Sequence, residues 1–566
     1  MTQRSSRRGM AALVLAAAAI WLPVQAAQAA AAPAGGFKPA SGVREDALDP
    51  NPVDPAAQRV LDLFVNDYRN ARPRTEYGAL VFNDILTKTD QADPLRPARA
   101  GAVLQYMTAV SYATLAPGAT ARGRTKSGDR EVFYTSTGTG RIVANGKTHE
   151  IKEGVGFTLT EDFEFTLTNT GRTPLGFYVR TEPLPSNFER SRDIVVVNRF
   201  DNDRRVGAHW WHICNGGPNG MLLCTIAPRT MPQPHSHPVE EIWVMVKGET
   251  VLTLGKRFTR MTPGQAYRIP PNGMVAHSNI NLGEEPVQMI YMGQAVRSPS
   301  TQLDFARLDE RNYVRDQEPD VDMYMGDWRD APPRIVHGAL YFRDMLTALK
   351  GPDPLHPTRR GSVLTNAEAV SFAQLEPGST AHRIDGELNG LQQTFVVNSG
   401  TGTITVGSRT VDLRKDMAFI VTPGLDFRLT ATGDNYMTFY VVTEKLPAGF
   451  SPATTLQVVD NRARPQVTAN WYNQERPLIT KADGMSQYGA VTQVELKPQA
   501  MSRPYSSFPG TEEIWIATEG DVDLLIGKEL RRLPAGTAYR APEDGITAHA
   551  NINATDKPAK FLYMVK

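Results

Sequence analysis

Side chains able to bind a metal ion are concentrated in the segment 234–241, which reads PHSHPVEE, and at His277 further along the chain. His235 and His237 are two residues apart, so on a β-strand both rings point to one face. Glu241 lies an even number of residues further on and can join that face, while His277 would come from a neighbouring strand. Three imidazoles and a carboxylate suit Fe(II), Mn(II), Ni(II), Cu(II) or Zn(II) and leave coordination positions open.

Glu240 is the alternative to Glu241 as the carboxylate ligand. The spacing to Gly248 favours Glu241, and Glu240 is expected to face outward.

Two further histidines precede this segment. The stretch 208–212 reads AHWWH, whereas the matching stretch near the end of the chain, 469–473, reads ANWYN. His209 and His212 are therefore replaced by asparagine in the copy that also lacks ligands, which predicts an acid–base or hydrogen-bonding role beside the metal. On one strand they would face opposite ways, so at most one should reach the site. The alternative is two polar residues at a barrel rim.

The elements that must position these residues repeat along the chain. GAL occurs at 78–80 and 338–340, FYV at 177–179 and 439–441, and EEIW at 240–243 and 512–515. The offset between copies grows from 260 to 272 residues, so small insertions separate two units. Such self-similarity indicates an internal duplication.

Each unit divides again into two β-rich modules. Gly138, Gly248, Gly400 and Gly520 each end an apolar run, and alternating stretches such as 250–254, TVLTL, are typical of short antiparallel strands. The sequence therefore predicts an all-β protein. Its predicted segments are a signal peptide over 1–29, an N-terminal arm over 30–61, a metal-free module 1 over 62–190, a metal-binding module 2 over 191–298, a connector over 299–321, a metal-free module 3 over 322–450, and a module 4 with a degenerate metal site over 451–566.

The residues around the proposed metal site resemble the cupin superfamily. Its first motif is His-x-His, a Glu three or four residues on and a Gly six residues later, which 235–248 matches without the leading Gly. Its second motif is matched by 264–281 with one extra residue before His277. The resemblance implies four cupin-like, double-stranded β-helix barrels in two tandem bicupin units. It implies one divalent metal held by His235, His237, Glu241 and His277, with Fe or Mn favoured over Zn, Ni or Cu.

Module 4 retains only part of this ligand set. It has Tyr505 and Ser507 in the region of the two histidines but keeps Glu513 and His549. We predict that it is metal-poor or metal-free.

Modules 1 and 3 depart further from the pattern. Phe165 and Phe427 fall near the position of the last histidine. Glu131 precedes Gly138, and Gln393 precedes Gly400, as Glu241 precedes Gly248. An apolar ring in place of a ligand predicts packed, structural barrels. His382 is a lone histidine and is predicted to be a surface or turn residue.

The two cysteines flank a strong turn signal, NGGPNG at 215–220. Strands joined at that turn could bring Cys214 and Cys224 together. A disulfide is expected in an oxidising compartment, and two buried free thiols are the alternative.

The N-terminal residues have the composition of a targeting segment. Arg4, Arg7 and Arg8 precede the apolar run 11–22, and AQA at 27–29 matches a cleavage site, with VQA at 24–26 as the alternative. We expect a periplasmic or secreted protein. SRRGM at 6–10 fits either a twin-arginine signal or an ordinary basic region.

Composition narrows the range of partners. The formal net charge of the chain is +1, so no basic field points to nucleic acid. No later run is apolar enough for a membrane span. We expect a small-molecule substrate or ligand, no nucleic acid, no membrane span, and a monomer or small homo-oligomer.

Three functions follow as hypotheses. The cupin resemblance favours an enzyme of dioxygenase or decarboxylase type, an oxidoreductase or lyase acting on a small oxygen-rich organic molecule, with His209 or His212 handling a proton. A non-catalytic sugar- or metabolite-binding assembly is the second hypothesis, and a metal-dependent hydrolase or isomerase is the third.

Overall fold

The structure is a computed structural model that describes residues 61–184, 193–198, 205–209, 212–216, 221–232, 240–255, 257–271, 275, 277–293, 320–469, 473–527, 529–545 and 547–566. Within these residues the elements are 46 β-strands and four 3-10 helices, which confirms the all-β prediction. The 3-10 helices are Tyr68–Asn70, Val321–Tyr324, Asn461–Ala463 and Lys481–Asp483. None of the described helices is long and apolar enough to cross a membrane.

The strands of the first unit form four sheets. Those up to residue 198 are β1 Val65–Asp67, β2 Pro73–Glu76, β3 Leu80–Lys88, β4 Ala102–Leu104, β5 Ala109–Leu115, β6 Thr120–Arg124, β7 Asp129–Thr137, β8 Thr139–Ala144, β9 Lys147–Lys152, β10 Val155–Leu159, β11 Glu164–Asn169, β12 Leu175–Pro183 and β13 Val195–Asn198. Those that follow are β14 Arg205–His209, β15 His212–Gly216, β16 Met221–Ile226, β17 Glu241–Lys247, β18 Thr250–Leu254, β19 Arg257–Met261, β20 Gln265–Arg268, β21 His277–Ile280 and β22 Val287–Gly293.

The second unit repeats this series. Its first strands are β23 Met325–Asp327, β24 Pro333–Val336, β25 Leu340–Ala348, β26 Ser362–Leu364, β27 Ala367–Leu375, β28 Thr380–His382, β29 Leu391–Ser399, β30 Gly402–Val406, β31 Arg409–Leu413, β32 Met417–Val421, β33 Phe427–Ala431, β34 Met437–Lys445 and β35 Gln457–Asp460. Its last strands are β36 Val467–Ala469, β37 Asn473–Thr480, β38 Ala490–Leu496, β39 Ala500–Met501, β40 Tyr505–Ser506, β41 Glu513–Glu519, β42 Asp521–Ile526, β43 Glu529–Pro534, β44 Thr537–Arg540, β45 Ala548–Asn553 and β46 Ala559–Val565.

Each module consists of a large sheet and a small sheet. In module 1 the large sheet has the order β13-β10-β7-β12-β5-β3-β2 with β4 beside β3, and the small sheet is β6-β11-β8-β9. In module 2 the orders are β1-β20-β17-β22-β16-β15-β14 and β19-β18-β21. The second unit has the matching orders β24-β25-β27-β34-β29-β32-β35, β28-β33-β30-β31, β23-β44-β41-β46-β38-β37-β36 and β39-β45-β42-β43.

The two sheets of a module enclose an apolar core. In β11 of module 1, Phe165 and Leu167 are buried while Glu164 is exposed and Thr166 is half-buried, because alternate residues of a strand face opposite sides. Phe133, Phe157 and Phe177 of the facing large sheet pack in the same cluster. The binary pattern of the strands therefore places one face of each sheet in the barrel.

The outer faces of the large sheets are also buried, because the modules pack in pairs. One apolar cluster contains Val132 and Tyr178 of module 1 together with Ile242 and Met292 of module 2. The corresponding cluster in the second unit joins Tyr440 of module 3 to module 4. These shared cores explain why the central strands are apolar on both faces.

A short strand at the start of each unit joins the large sheet of that unit's second module. β1 pairs antiparallel with β20 of module 2, and β23 pairs with β44 of module 4. Arg69 Nη2 donates to Pro263 O at 2.7 Å, and Arg329 repeats this contact with Ala535 O at 2.6 Å. We call β1 and β23 the straps. Two linking strands form the reverse exchange. β13 pairs with β10 of module 1, and β35 pairs with β32 of module 3, although both lie beyond the module boundaries predicted at residues 190 and 450.

The two units contact each other through the small sheets of modules 2 and 4. Met231, Val251 and Ile280 of module 2 pack with Leu525 and Ile552 of module 4 in one buried cluster. This contact explains why β18 is buried along its whole length although its sequence alternates.

A polar contact reinforces that interface. Arg229 forms an ion pair with Asp523, which is almost fully buried, and the carbonyl of Arg229 accepts from Leu530 N at 2.9 Å.

The two cysteines lie at paired positions of neighbouring strands. Cys214 in β15 is the cross-strand partner of Cys224 in β16. Cys224 is disulfide-bonded, and the chain has only one other cysteine. The disulfide prediction is confirmed.

The strap of the second unit depends on a glycine. A Cβ atom at Gly326 would lie 1.8 Å from the carbonyl oxygen of Met345, so Gly326→Ala must displace β23. We expect this change to lower stability by about 2 kcal/mol. Gly424→Ala is the control, because a Cβ there meets nothing within 4 Å. Differential scanning calorimetry of the full chain measures both, and equal unfolding temperatures would contradict the assigned packing of the strap.

Candidate metal site

The structure brings together two of the four predicted ligands, Glu241 and His277. Glu241 is the first residue of β17 in the large sheet, and His277 is the first residue of β21 in the small sheet. The distance from Glu241 Oε1 to His277 Nε2 is 3.2 Å. Both side chains are buried. The pair therefore bridges the two sheets inside module 2.

Neighbouring side chains hold the carboxylate and the imidazole in place. Trp243, which shares the face of Glu241, donates its indole N–H to Glu241 Oε1 at 2.7 Å. The ring of Tyr267 lies beside His277, and Asn279 Nδ2 donates to the Tyr267 hydroxyl at 2.8 Å. These contacts restrict the orientation of both predicted ligands before any ion binds.

His235 and His237 lie in 233–239, outside the described residues. The chain on either side of this segment is placed at the Glu241–His277 pair. Pro232 O accepts a hydrogen bond of 2.5 Å from Ser278 Oγ, next to His277, and the chain is described again from Glu240. The described residues on either side of this segment, Pro232 and Glu240, therefore lie beside the two placed ligands.

Module 4 provides an internal reference for this site. Its Glu513 and His549 occupy the same strand positions, with Glu513 Oε1 2.9 Å from His549 Nε2. Trp515 donates to Glu513 Oε1 at 2.8 Å, as Trp243 does in module 2. Tyr505 and Ser507, the counterparts of the two histidines, both donate their hydroxyls to the Glu513 carboxylate.

The charge of Glu513 is therefore balanced without a metal ion. Burial alone would raise the pKa of Glu513, but the charge of His549 and the hydrogen bonds from His549, Tyr505 and Ser507 outweigh it and lower this pKa to about 2. This arrangement supports the prediction that module 4 is metal-free. No group of three potential metal ligands occurs among the residues that the structure describes.

The register of the small sheets shows that the four modules share one site position. His277 lies opposite Leu254, and His549 lies opposite Ile526 at the same point of the hairpin. In module 1 that point is occupied by Phe165, opposite Ala144. In module 3 it is Phe427, opposite Val406. The predicted placement of both phenylalanines is confirmed.

Glu240 differs from its prediction. Its side chain does point away from that of Glu241, but it is fully buried instead of facing solvent. Its carboxylate accepts backbone N–H groups of Gln105 at 2.6 Å and Met107 at 2.9 Å, both from module 1. The outer face of β17 is the interface between modules, so a residue facing out of one barrel is enclosed by the other.

The prediction for His209 and His212 rested on a single strand, and that premise is wrong. His209 ends β14 and His212 begins β15, and the two residues are cross-strand partners in this antiparallel pair. The alternation along one strand therefore does not apply to them. β14 is the edge strand of the large sheet and β15 is next to it, separated from β17 by β16 and β22. A role in catalysis stays a prediction, because the structure describes only their backbone.

Sequence reasoning missed two equivalent residues beside the site in modules 1 and 3, the half-buried Tyr77 and the buried His337. Tyr77 donates its hydroxyl to Glu131 Oε2 at 2.9 Å. His337 takes the place of Tyr77 in module 3, with its Nε2 atom 2.8 Å from Gln393 Oε1. Each directly precedes the repeated GAL tripeptide, so the exchange of Tyr for His between copies was the available signal. His382 is exposed at the end of β28, as predicted.

Two segments of the chain, 222–293 and 372–443, match the cupin domain family. No curated protein matches the sequence. Solved structures of oxalate decarboxylase are similar to part of the chain. One, described by its substrate binding mode and reaction specificity, is 13% identical with a TM-score of 0.33, and the match covers 43% of this chain and 80% of that chain. Another, from Bacillus subtilis and described by its Mn(II) centers, is 14% identical with the same TM-score and coverage.

We expect the buried carboxyl group of Glu131 to make the stability of the folded protein depend on pH. Burial raises the pKa of Glu131 to about 7, although the Tyr77 hydrogen bond opposes this. Because the folded pKa lies above the unfolded value, the contribution of this group is complete below about pH 4.5 and is lost as pH rises through 7. Glu131→Gln, which copies module 3, should therefore reduce the loss of stability between pH 5 and pH 8, by up to about 3 kcal/mol.

Thermal unfolding of the full chain at the two pH values measures this effect. The exposed residue Glu150 provides the control, because Glu150→Gln should leave the pH dependence as in the wild type. An unchanged difference between pH 5 and pH 8 in Glu131→Gln would mean that Glu131 is already ionised in the folded state at pH 5.

Proposed function

We propose that this chain, a cupin-domain protein of the cupin superfamily, is a metal-dependent enzyme that acts on a small oxygen-rich organic molecule. Its site is a single divalent metal in module 2, held by His235, His237, Glu241 and His277. Decarboxylation or oxidation of a small acid or phenol is the favoured chemistry.

The observation that carries this proposal is the contrast between modules 2 and 4. Both place a Glu–His pair between the sheets at the same register. Module 4 surrounds its carboxylate with hydroxyl donors from Tyr505 and Ser507. Module 2 has histidines at those two positions of the repeat. Exchanging two proton donors for two imidazoles converts a site closed by hydrogen bonds into a set of metal ligands.

The donors of module 2 fit a divalent transition metal. Three imidazoles and one carboxylate leave coordination positions open, and Fe or Mn is favoured over Zn, Ni or Cu. When bound, such an ion supplies Lewis acidity toward a substrate oxygen, redox chemistry with oxygen, or both.

Other residues of the chain prepare the site for a small ligand. Trp243 fixes one oxygen of Glu241 by a hydrogen bond, which leaves the orientation of the carboxylate set. Tyr267 is buried beside His277, and burial raises its pKa well above the usual value, so its hydroxyl stays protonated. Met245 lies four residues beyond Glu241 and is buried on the same face of β17. These described neighbours of the Glu241–His277 pair are apolar or neutral, and such surroundings strengthen electrostatic interactions.

Export is part of the proposal. The basic and apolar residues of segment 1–29 support a periplasmic or secreted location. The disulfide of Cys224 fits the oxidising environment of that location.

Metal content tests the proposal directly. We expect about one equivalent of Fe or Mn per wild-type chain by elemental mass spectrometry. His235→Tyr/His237→Ser, which copies module 4, should lose that metal and keep the fold, because module 4 is stable with those residues. His356→Tyr, an exposed histidine in module 3, should keep the full metal content.

Turnover is measured on the same proteins. Oxygen consumption and CO2 release are recorded with small organic acids and phenols, and the metal-loaded wild type should react where His235→Tyr/His237→Ser does not. A wild-type protein that folds without metal, or a double variant that retains it, would overturn the proposed site.

The reverse exchange should create a second site. Tyr505→His/Ser507→His places imidazoles beside Glu513 and His549, so metal content should rise to about two equivalents. Tyr505→Phe/Ser507→Ala removes the same hydrogen bonds without adding ligands and should leave one equivalent. A gain of metal by the control as well would show that loss of the hydroxyls, and not gain of imidazoles, admits the ion.

A further inference from the structure

A cavity of about 210 Å³ opens at the site position of module 3, away from the proposed metal site. Its walls include the rings of His337 and Phe427, which meet edge to face with their centroids 5.0 Å apart. Leu388 is buried in the wall, and Ile384 is an exposed apolar residue at the mouth. Apolar side chains therefore line part of the wall and part of the solvent-exposed side of the cavity, beside the polar residues Arg383 and Asn389.

Comparison with module 1 shows how this cavity arises. The segment between β6 and β7 spans residues 125–128, whereas the corresponding segment between β28 and β29 spans 383–390. The longer segment supplies Arg383, Ile384, Leu388 and Asn389 to the wall.

The residue before the repeated GAL tripeptide also differs between the two modules, being Tyr77 in module 1 and His337 in module 3. In module 1 the Tyr77 ring packs on Phe165 at 4.8 Å and its hydroxyl reaches Glu131. The smaller ring of His337 in module 3 leaves more space.

The ring of His337 is fixed and does not offer its nitrogens to a ligand. Its Nδ1 atom lies 2.7 Å from Glu387 Oε2, and its Nε2 atom lies 2.8 Å from Gln393 Oε1. The Glu387 carboxylate also accepts the backbone N–H of His337. His337 therefore acts as a wall of the cavity, and the carboxylate of Glu387 is satisfied by its donors.

Arg383 supplies the polar group suited to a ligand. Its Nη2 atom pairs with Asp385 at 2.7 Å, and Asp385 is exposed to solvent. A guanidinium has five N–H donors in a planar arrangement that matches a carboxylate. Asn389, also on the wall, can add an amide donor.

We propose that this cavity binds a small monocarboxylate with a flat apolar body, independently of the metal in module 2. The volume of this cavity is that of about seven water molecules. It is smaller than typical sites for drug-sized ligands, which have about 300–1,000 Å³. A single ring with one carboxylate fits that size. Its ring would pack against Phe427 and Leu388, and its carboxylate would pair with Arg383.

Benzoate is the probe for this proposal, with benzyl alcohol as its neutral analogue. Fluorine NMR with 4-fluorobenzoate, or calorimetry with benzoate, is carried out on the full chain after treatment with EDTA. We expect saturable binding of about one benzoate per chain, and binding of benzyl alcohol weaker by about tenfold or more, because it lacks the charge-assisted contact to Arg383.

Variants locate the binding. Arg383→Ala should weaken benzoate about tenfold, whereas Arg428→Ala, at an exposed neighbouring position of β33, should not. His337→Tyr/Gln393→Glu rebuilds the Tyr–Glu pair of module 1 and should abolish binding by filling the cavity. Tyrosine suits the position, because Tyr77 has φ 51° and His337 has φ 54°.

A further variant tests whether the cavity binds benzoate independently of the metal site. His235→Tyr/His237→Ser should bind benzoate like the wild type. Loss of benzoate in that variant, retention in His337→Tyr/Gln393→Glu, or equal affinity for benzoate and benzyl alcohol would each overturn the proposal.

Discussion

A polar side chain enclosed at one position of every barrel is the constraint on which the modules depend. That side chain is Glu131, Glu241, Gln393 or Glu513, and each lies seven residues before a repeated glycine. A buried carboxylate is costly unless a proton, a hydrogen-bonding network or an opposite charge balances it. The four modules meet this requirement in different ways. Module 1 raises the pKa of the acid, module 3 replaces it with an amide, and module 4 surrounds it with donors.

In modules 2 and 4 a second buried carboxylate lies immediately before β17 or β41. Glu240 in module 2 and Glu512 in module 4 receive backbone N–H groups from the neighbouring module. A contact in the opposite direction is made by Glu444 of module 3, which accepts the backbone N–H groups of Gln487 and Tyr488 in module 4. Because the two carboxylates are on adjacent residues that point in opposite directions, the site position and the module interface are set by the same backbone. A single barrel would therefore leave Glu240 or Glu512 without its donors, and pairing of modules is needed to build the site.

The sequence allowed prediction of features that depend on short-range patterns and on the repeat. Alternation and glycine spacing predicted the strands, and the comparison of copies predicted the positions of Phe165 and Phe427. It failed where the outcome depends on contacts between distant segments. The burial of Glu240 follows from the packing of a second module, which its own strand does not encode. The sequence between His209 and His212 is two tryptophans, which carry no turn signal, so the change from β14 to β15 was not predicted.

Duplication is consistent with the proposed single metal site among four similar barrels. A barrel that loses its ligands retains its fold if the remaining carboxylate is satisfied, and Tyr505 with Ser507 does this by two hydroxyls at the positions of two imidazoles. The requirement for folding is charge balance, and a metal ion is only one of its solutions. In module 2 the two hydroxyl donors of module 4 are exchanged for two histidines, and in our proposal a metal ion balances the charge of Glu241. The other three modules would then maintain the shared interfaces, while module 2 carries the proposed chemistry.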